Sequence, residues 1–222
     1  MKNLPRHKKI NILNMGITTH CSRRCPECCC GMPTIEHPEH VPLETIRQVT
    51  EAVSGITSII LTGGEPMLHP QIESILTNIR AWSRCSRLWV ATNGEFPSDR
   101  LELLKMADEV HFSLYDESNV PGYPSNKVAQ QRLIDFCKSS PNRPLYHGGH
   151  PSHKALHPHG TKVCRKSATG LIASANGLFY GCCVAPGVPG AIGVELSHSW
   201  REELMNTLLP CHNCRFGAMH NV

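Results

Sequence analysis

Residues 10–28 read INILNMGITTHCSRRCPEC. The first nine, Ile10–Thr18, form an apolar run with the character of a buried strand. A loop follows with Cys21, Cys25 and Cys28 spaced C-x3-C-x2-C. Three thiolates on one tight loop can hold three corners of a cubane iron–sulfur cluster and leave the fourth iron open. The spacing also admits zinc or a redox dithiol. A zinc ribbon can be drawn from Cys25-x2-Cys28 and Cys211-x2-Cys214, with Cys29 and Cys30 as further ligands, but most of the chain would separate its knuckles.

Outward from that stretch, strand and helix patterns alternate. Leu43, Ile46, Val49 and Val53 keep helical spacing, with Pro42 suited to a first-turn position. Ser58–Thr62 is a short strand ending at Gly63-Gly64, a turn signal. Ile72, Ile75, Leu76 and Ile79 make an amphipathic helical stripe. Leu88–Thr92 is the next strand, stopped by Asn93-Gly94. Leu101, Leu104 and Met106 face inward from another helix. Val110–Leu114 is a fourth strand, Val128–Cys137 a further helix, and Pro144–His147 a weak fifth strand. Repeated β-loop-α units predict a parallel sheet with helices outside it. The units are too many for a ferredoxin-like fold and too few for a closed eight-stranded barrel. An open, partial barrel is expected, its ligand site at the carboxyl ends of the strands.

Composition narrows the function. The chain has 222 residues and a net charge of +4, spread along its length, which leaves no electrostatic footprint of a nucleic-acid binder. No apolar run approaches the ~18 residues of a membrane span. The basic stretch Met1–Lys9 precedes an apolar segment broken by Asn11 and Asn14, without a small-residue cleavage site, so export is not expected and a cytoplasmic location is. Twelve cysteines in such a chain point to metal or iron–sulfur ligation rather than disulfides.

The cysteine motif after strand one, with Gly63-Gly64-Glu65-Pro66 after strand two, resembles the radical S-adenosylmethionine superfamily. The resemblance implies a partial (β/α)6-type barrel, here shortened, in which Cys21, Cys25 and Cys28 bind a [4Fe–4S] cluster. S-adenosylmethionine would chelate the open iron through its amino and carboxylate groups. It also implies a reductase partner such as flavodoxin or ferredoxin. The glycines would let backbone carbonyls approach closely, and the Glu65 carboxylate could neutralise the cofactor's ammonium. Thr92-Asn93-Gly94 resembles the family's ribose-contacting segment, and Ser113 its polar contact on strand four. Glu27 stands where the family often carries an aromatic residue on the adenine side.

After about residue 148 the pattern changes, giving an expected division into 1–148, the partial barrel, and 149–222, a linker and small annex. His147, His150, His153, His157 and His159 lie among Gly and Pro, read as a loop over the barrel mouth or a metal tract. Thr169–Ser174 and Leu178–Gly181 flank Asn176-Gly177 as a β-hairpin, and Ser199 with Glu202 opens a helix to about Leu209. Cys164, Gly177, Cys182, Cys211 and Cys214 resemble a twitch domain, a hairpin plus helix around an auxiliary [4Fe–4S] cluster. Cys183 could compete with Cys182, and four structural zinc thiolates are the alternative. Cys85 and Cys137 read as small core residues.

Candidate catalytic or substrate-contacting residues are His111, Tyr115, Asp116, Cys29 and Cys30. For His111 a core role, and for Cys29 and Cys30 a role as plain loop thiols, stand as alternatives. The expected activity is reductive cleavage of S-adenosylmethionine and hydrogen abstraction from a small-molecule or nucleotide substrate. Dehydrogenation with the auxiliary cluster accepting an electron is the first expectation. Epimerisation, C–C rearrangement and peptide or nucleotide modification are the alternatives, and a non-catalytic zinc protein is the rival from another class. With no N-terminal leader-binding domain expected, a peptide substrate is disfavoured.

Overall fold

The computed structural model describes residues 12–25, 35–53, 56–115 and 125–139, together with the backbone of strands at 145–149, 157–158, 170–173, 179–180 and 213–214. Strands β1 (Ile12–Gly16), β2 (Ser58–Thr62), β3 (Arg87–Thr92), β4 (Glu109–Ser113) and β5 (Leu145–Gly149) alternate with helices α1 (Leu43–Ala52), α2 (Ile72–Ser83) and α3 (Lys127–Ser139). Adjacent pairs from β1 to β5 are parallel, as the repeated units require. The expected strands β1 to β5 and the helices that become α1 to α3 are present, with bounds shifted by a few residues at most.

Side chains alternate across the sheet. Leu13, Met15, Ile59, Leu61, Leu88, Val90, Val110 and Phe112 are essentially sealed from solvent and form one core with Ile46, Val49, Ile75, Ile79, Leu104 and Leu133 from the helical layer. Each such side chain contributes roughly 1.5–3 kcal/mol on burial. Asn14, Ile60, Trp89 and His111 point to the opposite face and are half-buried.

Two expectations need correction. The segment before β4 is a three-ten stretch, Ser98–Met106, rather than an α-helix. With three residues per turn, Leu101 and Leu104 fall on one edge, so this geometry also serves their spacing. Pro42 stands one position earlier, at the N-cap of α1. The strands β7 (Gly170–Ala173) and β8 (Phe179–Tyr180) of the expected hairpin add to the edge of the barrel sheet. β7 runs parallel beside β1, pairing Leu13 with Leu171, and β8 returns antiparallel. The seven-stranded order is therefore β5-β4-β3-β2-β1-β7-β8. Strands β6 (His157–Pro158) and β9 (Asn213–Cys214) form a separate antiparallel pair. The helix expected at Ser199–Leu209 lies outside the described residues.

Candidate cluster and cofactor site

The site is assembled at the carboxyl ends of β1 to β4. Beyond β1, Ile17 N–H still donates to Thr62 O (3.0 Å). Residues 39–41 return to brace the start of the cysteine loop: Val41 N–H donates to Ile17 O (2.9 Å) and Thr19 N–H to Glu39 O (2.9 Å). The Gly-Gly-Glu turn then docks on the loop's backbone, Gly64 N–H donating to Thr18 O (2.8 Å) and Glu65 N–H to His20 O (2.7 Å). A Cβ on Gly63 (φ +135°) would lie 2.3 Å from Thr18 O, and one on Gly64 would lie 2.1 Å from His20 O. The bare backbone is thus required by the cysteine loop itself, a reason sequence reading had assigned to the cofactor.

The turn after β3 completes the joint. Asn93 Nδ2 donates to Cys21 Sγ (3.6 Å) and to Ser22 Oγ (3.2 Å), and Arg23 N–H donates to the same sulfur (3.4 Å). Cys21 is half-buried, Cys25 is buried, and neither is in a disulfide. Two N–H donors on one sulfur are the kind of outer partners that orient a metal-bound thiolate, so the described part of the donor set fits a cluster. Cys28, Cys29 and Cys30 lie outside the described residues. Asn126, buried ahead of α3, donates to Asn93 O and Ser113 O (2.9 Å each) and accepts from Tyr115 N–H (2.7 Å), tying the third turn to the end of β4.

Residues 15–118 match the family model described as Radical SAM superfamily. The matched stretch takes in the cysteine loop and the glycine turns, and over it the chain is similar to a radical SAM domain. Over 114 residues the chain is 32% identical to a GTP 3′,8-cyclase of Desulforamulus reducens, covering 49% of this chain and 35% of that protein. It is 31% identical over 104 residues to the GTP 3′,8-cyclase of Pelotomaculum thermopropionicum, covering 45% and 32% respectively. The matched stretch thus spans about a third of each relative. Among solved structures, BtrN in complex with AdoMet and 2-DOIA superposes with a TM-score of 0.63 at 12% identity, covering 92% of this chain and 83% of that one. Streptococcus suis SuiB bound to S-adenosylmethionine gives 0.54 at 12% identity, covering 88% and 64%. At such identities the likeness is one of fold.

The glutamate of the second turn is engaged inside the fold. Glu65 is fully buried, and its carboxylate accepts from Thr92 Oγ1 (2.8 and 2.9 Å to its two oxygens), Asn93 N–H (2.8 Å) and Met67 N–H (3.1 Å). It clamps the turns together, donors from the neighbouring strand end reaching both of its oxygens. Burial pushes its pKa up to about 7 against the pull of those hydrogen bonds. Thr92 is occupied with it: its hydroxyl donates to Glu65 and accepts from Gly94 N–H (2.9 Å). Gly94 holds φ +79°, and a Cβ there would meet Phe112 Cε2 at 2.7 Å. Pro66 is buried at the start of the three-ten turn Pro66–Leu68.

The candidate substrate contacts separate. Tyr115 lies over Arg23, whose guanidinium carbon is 4.6 Å from the ring centroid. His111 stacks on Trp89 (4.7 Å, 17°) and its Nε2 lies 3.3 Å from Glu109 Oε2, so it belongs to the half-buried sheet face, as does Ser113. Asp116, Cys164, Cys182, Cys183 and Cys211 are outside the described residues, and Cys214 is placed by backbone alone, opposite His157.

Sequence reasoning missed three features. Arg23 forms an ion pair with Glu95. Asn126 stitches two turns, and only its place just before a predicted helix hinted at it. His20 stacks on His40 (4.1 Å), and His40 meets His69 edge-on (5.1 Å). Burial and then the neighbouring His20 hold His40 below its ordinary pKa. Ring nitrogens of this stack are engaged within the fold, His40 Nδ1 with Thr18 and His69 Nε2 with Val41 O. Among the described residues no group of three His, Cys, Asp or Glu is arranged to hold a metal ion.

Proposed function

We propose that this chain is a radical S-adenosylmethionine enzyme acting on a small polar molecule or a nucleotide. The observation that carries the reading is the joint at Cys21: a cysteine loop seated on the Gly63-Gly64-Glu65 turn through Thr18 O and His20 O, with Asn93 reaching its sulfur. Cys21, Cys25 and Cys28 would hold the [4Fe–4S] cluster. The turn Gly63–Pro66, the segment Thr92–Gly94 and Ser113 would hold S-adenosylmethionine, chiefly through backbone groups, since the side chains of Glu65 and Thr92 are engaged with each other. When bound, cluster and cofactor supply methionine and a 5′-deoxyadenosyl radical. The protein's part is to fix the reacting atoms and exclude water. A reductase such as flavodoxin or ferredoxin supplies the electron. Among the described residues no helix is long and apolar enough to cross a membrane.

Dehydrogenation is the favoured outcome. Cys164, Cys182, Cys211 and Cys214 would hold an auxiliary [4Fe–4S] cluster able to accept one electron, so that a hydroxyl-bearing substrate carbon losing a hydrogen atom, with its hydroxyl proton released to solvent, would end as a two-electron oxidation. The product is a carbonyl. The pairing of β6 with β9, which sets Cys214 opposite His157, supports bringing the second cysteine set beside the histidine segment. A second reading, rearrangement of a nucleotide, is favoured by the identity to GTP 3′,8-cyclases within the barrel half.

The test is anaerobic incubation of the reconstituted protein with S-adenosylmethionine and reductant. Formation of 5′-deoxyadenosine is expected, and its absence from cluster-loaded protein overturns the reading. A Cys211→Ala, Cys214→Ala variant should keep that cleavage and lose substrate product. A product lighter by two hydrogens marks dehydrogenation, whereas conversion of added GTP without mass change marks rearrangement.

A further inference from the structure

Arg23 lies inside the cysteine motif, between Cys21 and Cys25, yet its side chain is only 5% exposed. A guanidinium taken out of water is costly unless a counter-charge and hydrogen bonds compensate it. The compensation comes from the turn after β3, where Glu95, 34% exposed, forms the ion pair, and from just beyond β4, where the Tyr115 ring lies under the cation. Both members of the pair are wired to the same sulfur. Arg23 donates to Cys21 Sγ through its own backbone N–H. Glu95 N–H donates to Asn93 Oδ1 (2.8 Å), and the amide of that residue donates to Cys21 Sγ.

We propose that the Arg23–Glu95 pair sets the reduction potential of the iron–sulfur cluster held by this loop, Arg23 raising it and Glu95 lowering it. The proposal rests on the reading of Cys21, Cys25 and Cys28 as cluster ligands. Reduction adds one negative charge to a cluster. A buried cation on the ligand loop favours the reduced form, and a carboxylate opposite it disfavours that form. The burial of Arg23 keeps its field from being screened as a surface charge would be, while the more exposed Glu95 trims the effect. A plain mechanical staple between loop and turn makes a different prediction: cutting it from either side loosens the same joint and moves any property in one direction.

Opposite signs are therefore the test. Anaerobically reconstituted wild type, Arg23→Gln, Arg23→Lys and Glu95→Gln are titrated potentiometrically with detection by electron paramagnetic resonance. The signal followed is the one that changes when S-adenosylmethionine is added, which separates this cluster from any second one. Arg23→Gln should shift the midpoint to more negative potential and Glu95→Gln to more positive, with Arg23→Lys, which keeps the charge, near wild type. Should Arg23→Gln lose its iron, the positive shift in Glu95→Gln and the near-normal Arg23→Lys still decide the matter. Shifts of one sign in both neutralised variants, or none, with iron content intact, overturn the proposal. Zinc without sulfide in the wild type overturns the cluster reading beneath it instead.

Discussion

Replacing Glu65 by Gln preserves the outline of the side chain and removes one acceptor. The two backbone donors arrive at different oxygens, Met67 N–H at Oε1 (3.1 Å) and Asn93 N–H at Oε2 (2.8 Å). An amide has a single oxygen, so its NH2 must face one of those N–H groups. The buried donor left without a partner costs about 1–3 kcal/mol. Against this stands the cost of ionising a sealed carboxyl. The unfolded chain releases this proton near the ordinary value of 4.5 and the folded chain near 7. Between those values the native state binds more protons, so wild-type stability falls as pH rises through the window, and the loss is complete above about 7. Integrated, the loss is about 3 kcal/mol, comparable to the cost of the orphaned N–H. Gln pays the first cost and avoids the second. At pH 5 it should therefore destabilise the joint by about 1–2 kcal/mol, and by pH 8 the difference should vanish or reverse. Hydrogen exchange read by mass spectrometry on peptides containing Met67 and Asn93 measures this locally. The variant should exchange on the order of tenfold faster than wild type at pH 5 and at about the same rate at pH 8. A ratio that does not change with pH, or one that grows toward pH 8, refutes the reasoning. It would mean that the donors outweigh burial and Glu65 is at home as a carboxylate.

Two further outcomes are expected. Gly64→Ala drives a Cβ to 2.1 Å from His20 O and 2.6 Å from its carbonyl carbon, so the cysteine loop must move off its seat. Overpacking of about 1–3 kcal/mol should weaken S-adenosylmethionine binding about tenfold in a titration, and unchanged affinity would show the loop to be compliant. Anaerobic reconstitution should load about eight irons and about eight sulfides per chain, and a Cys21→Ala, Cys25→Ala, Cys28→Ala variant should keep about half, whereas one or two zinc ions without sulfide would remove the cluster reading.

What could be read from the sequence were features written locally. Ser58–Thr62 announces a strand by its β-branched residues, and Gly63-Gly64 announces the turn that ends it. The cysteine spacing reads as a ligand set because the three thiols share one loop. What escaped depends on partners far along the chain. Arg23 looks like any loop arginine until β3 places Glu95, 72 positions away, beside it. The direction of the Glu65 side chain was undetermined for the same reason, since its donors Thr92 and Asn93 belong to a different strand end. The three-ten stretch escaped because Leu101 and Leu104, three apart, suit an α-helix as well. An Asn-Gly turn revealed the hairpin, but nothing in a short apolar strand says that β7 will take the edge beside β1.

These long-range contacts make one closed circuit. The cysteine loop hangs on the Gly63-Gly64-Glu65 turn through Thr18 and His20. Glu65 fastens that turn to Thr92 and Asn93. Asn126 fastens Asn93 to Ser113 and Tyr115, and Arg23 returns from Glu95 and Tyr115 to the loop. Each side chain in the circuit has spent hydrogen-bonding capacity inside the fold, which explains how two glycine-bearing turns stay in register with the cysteine loop. Such preorganisation suits a site that must hold reacting atoms to within fractions of an ångström. It also divides the labour along the strands. Side chains locked in the circuit position the ligand loop and the turns. The half-buried face carrying Trp89, His111 and Ser113 lies outside the circuit apart from the Ser113 carbonyl, and its chemistry can vary without disturbing the joint. Two proteins could thus share the first two thirds of this architecture and act on different substrates. The relatives match this chain through the barrel half, so the match bears on the joint rather than on the substrate.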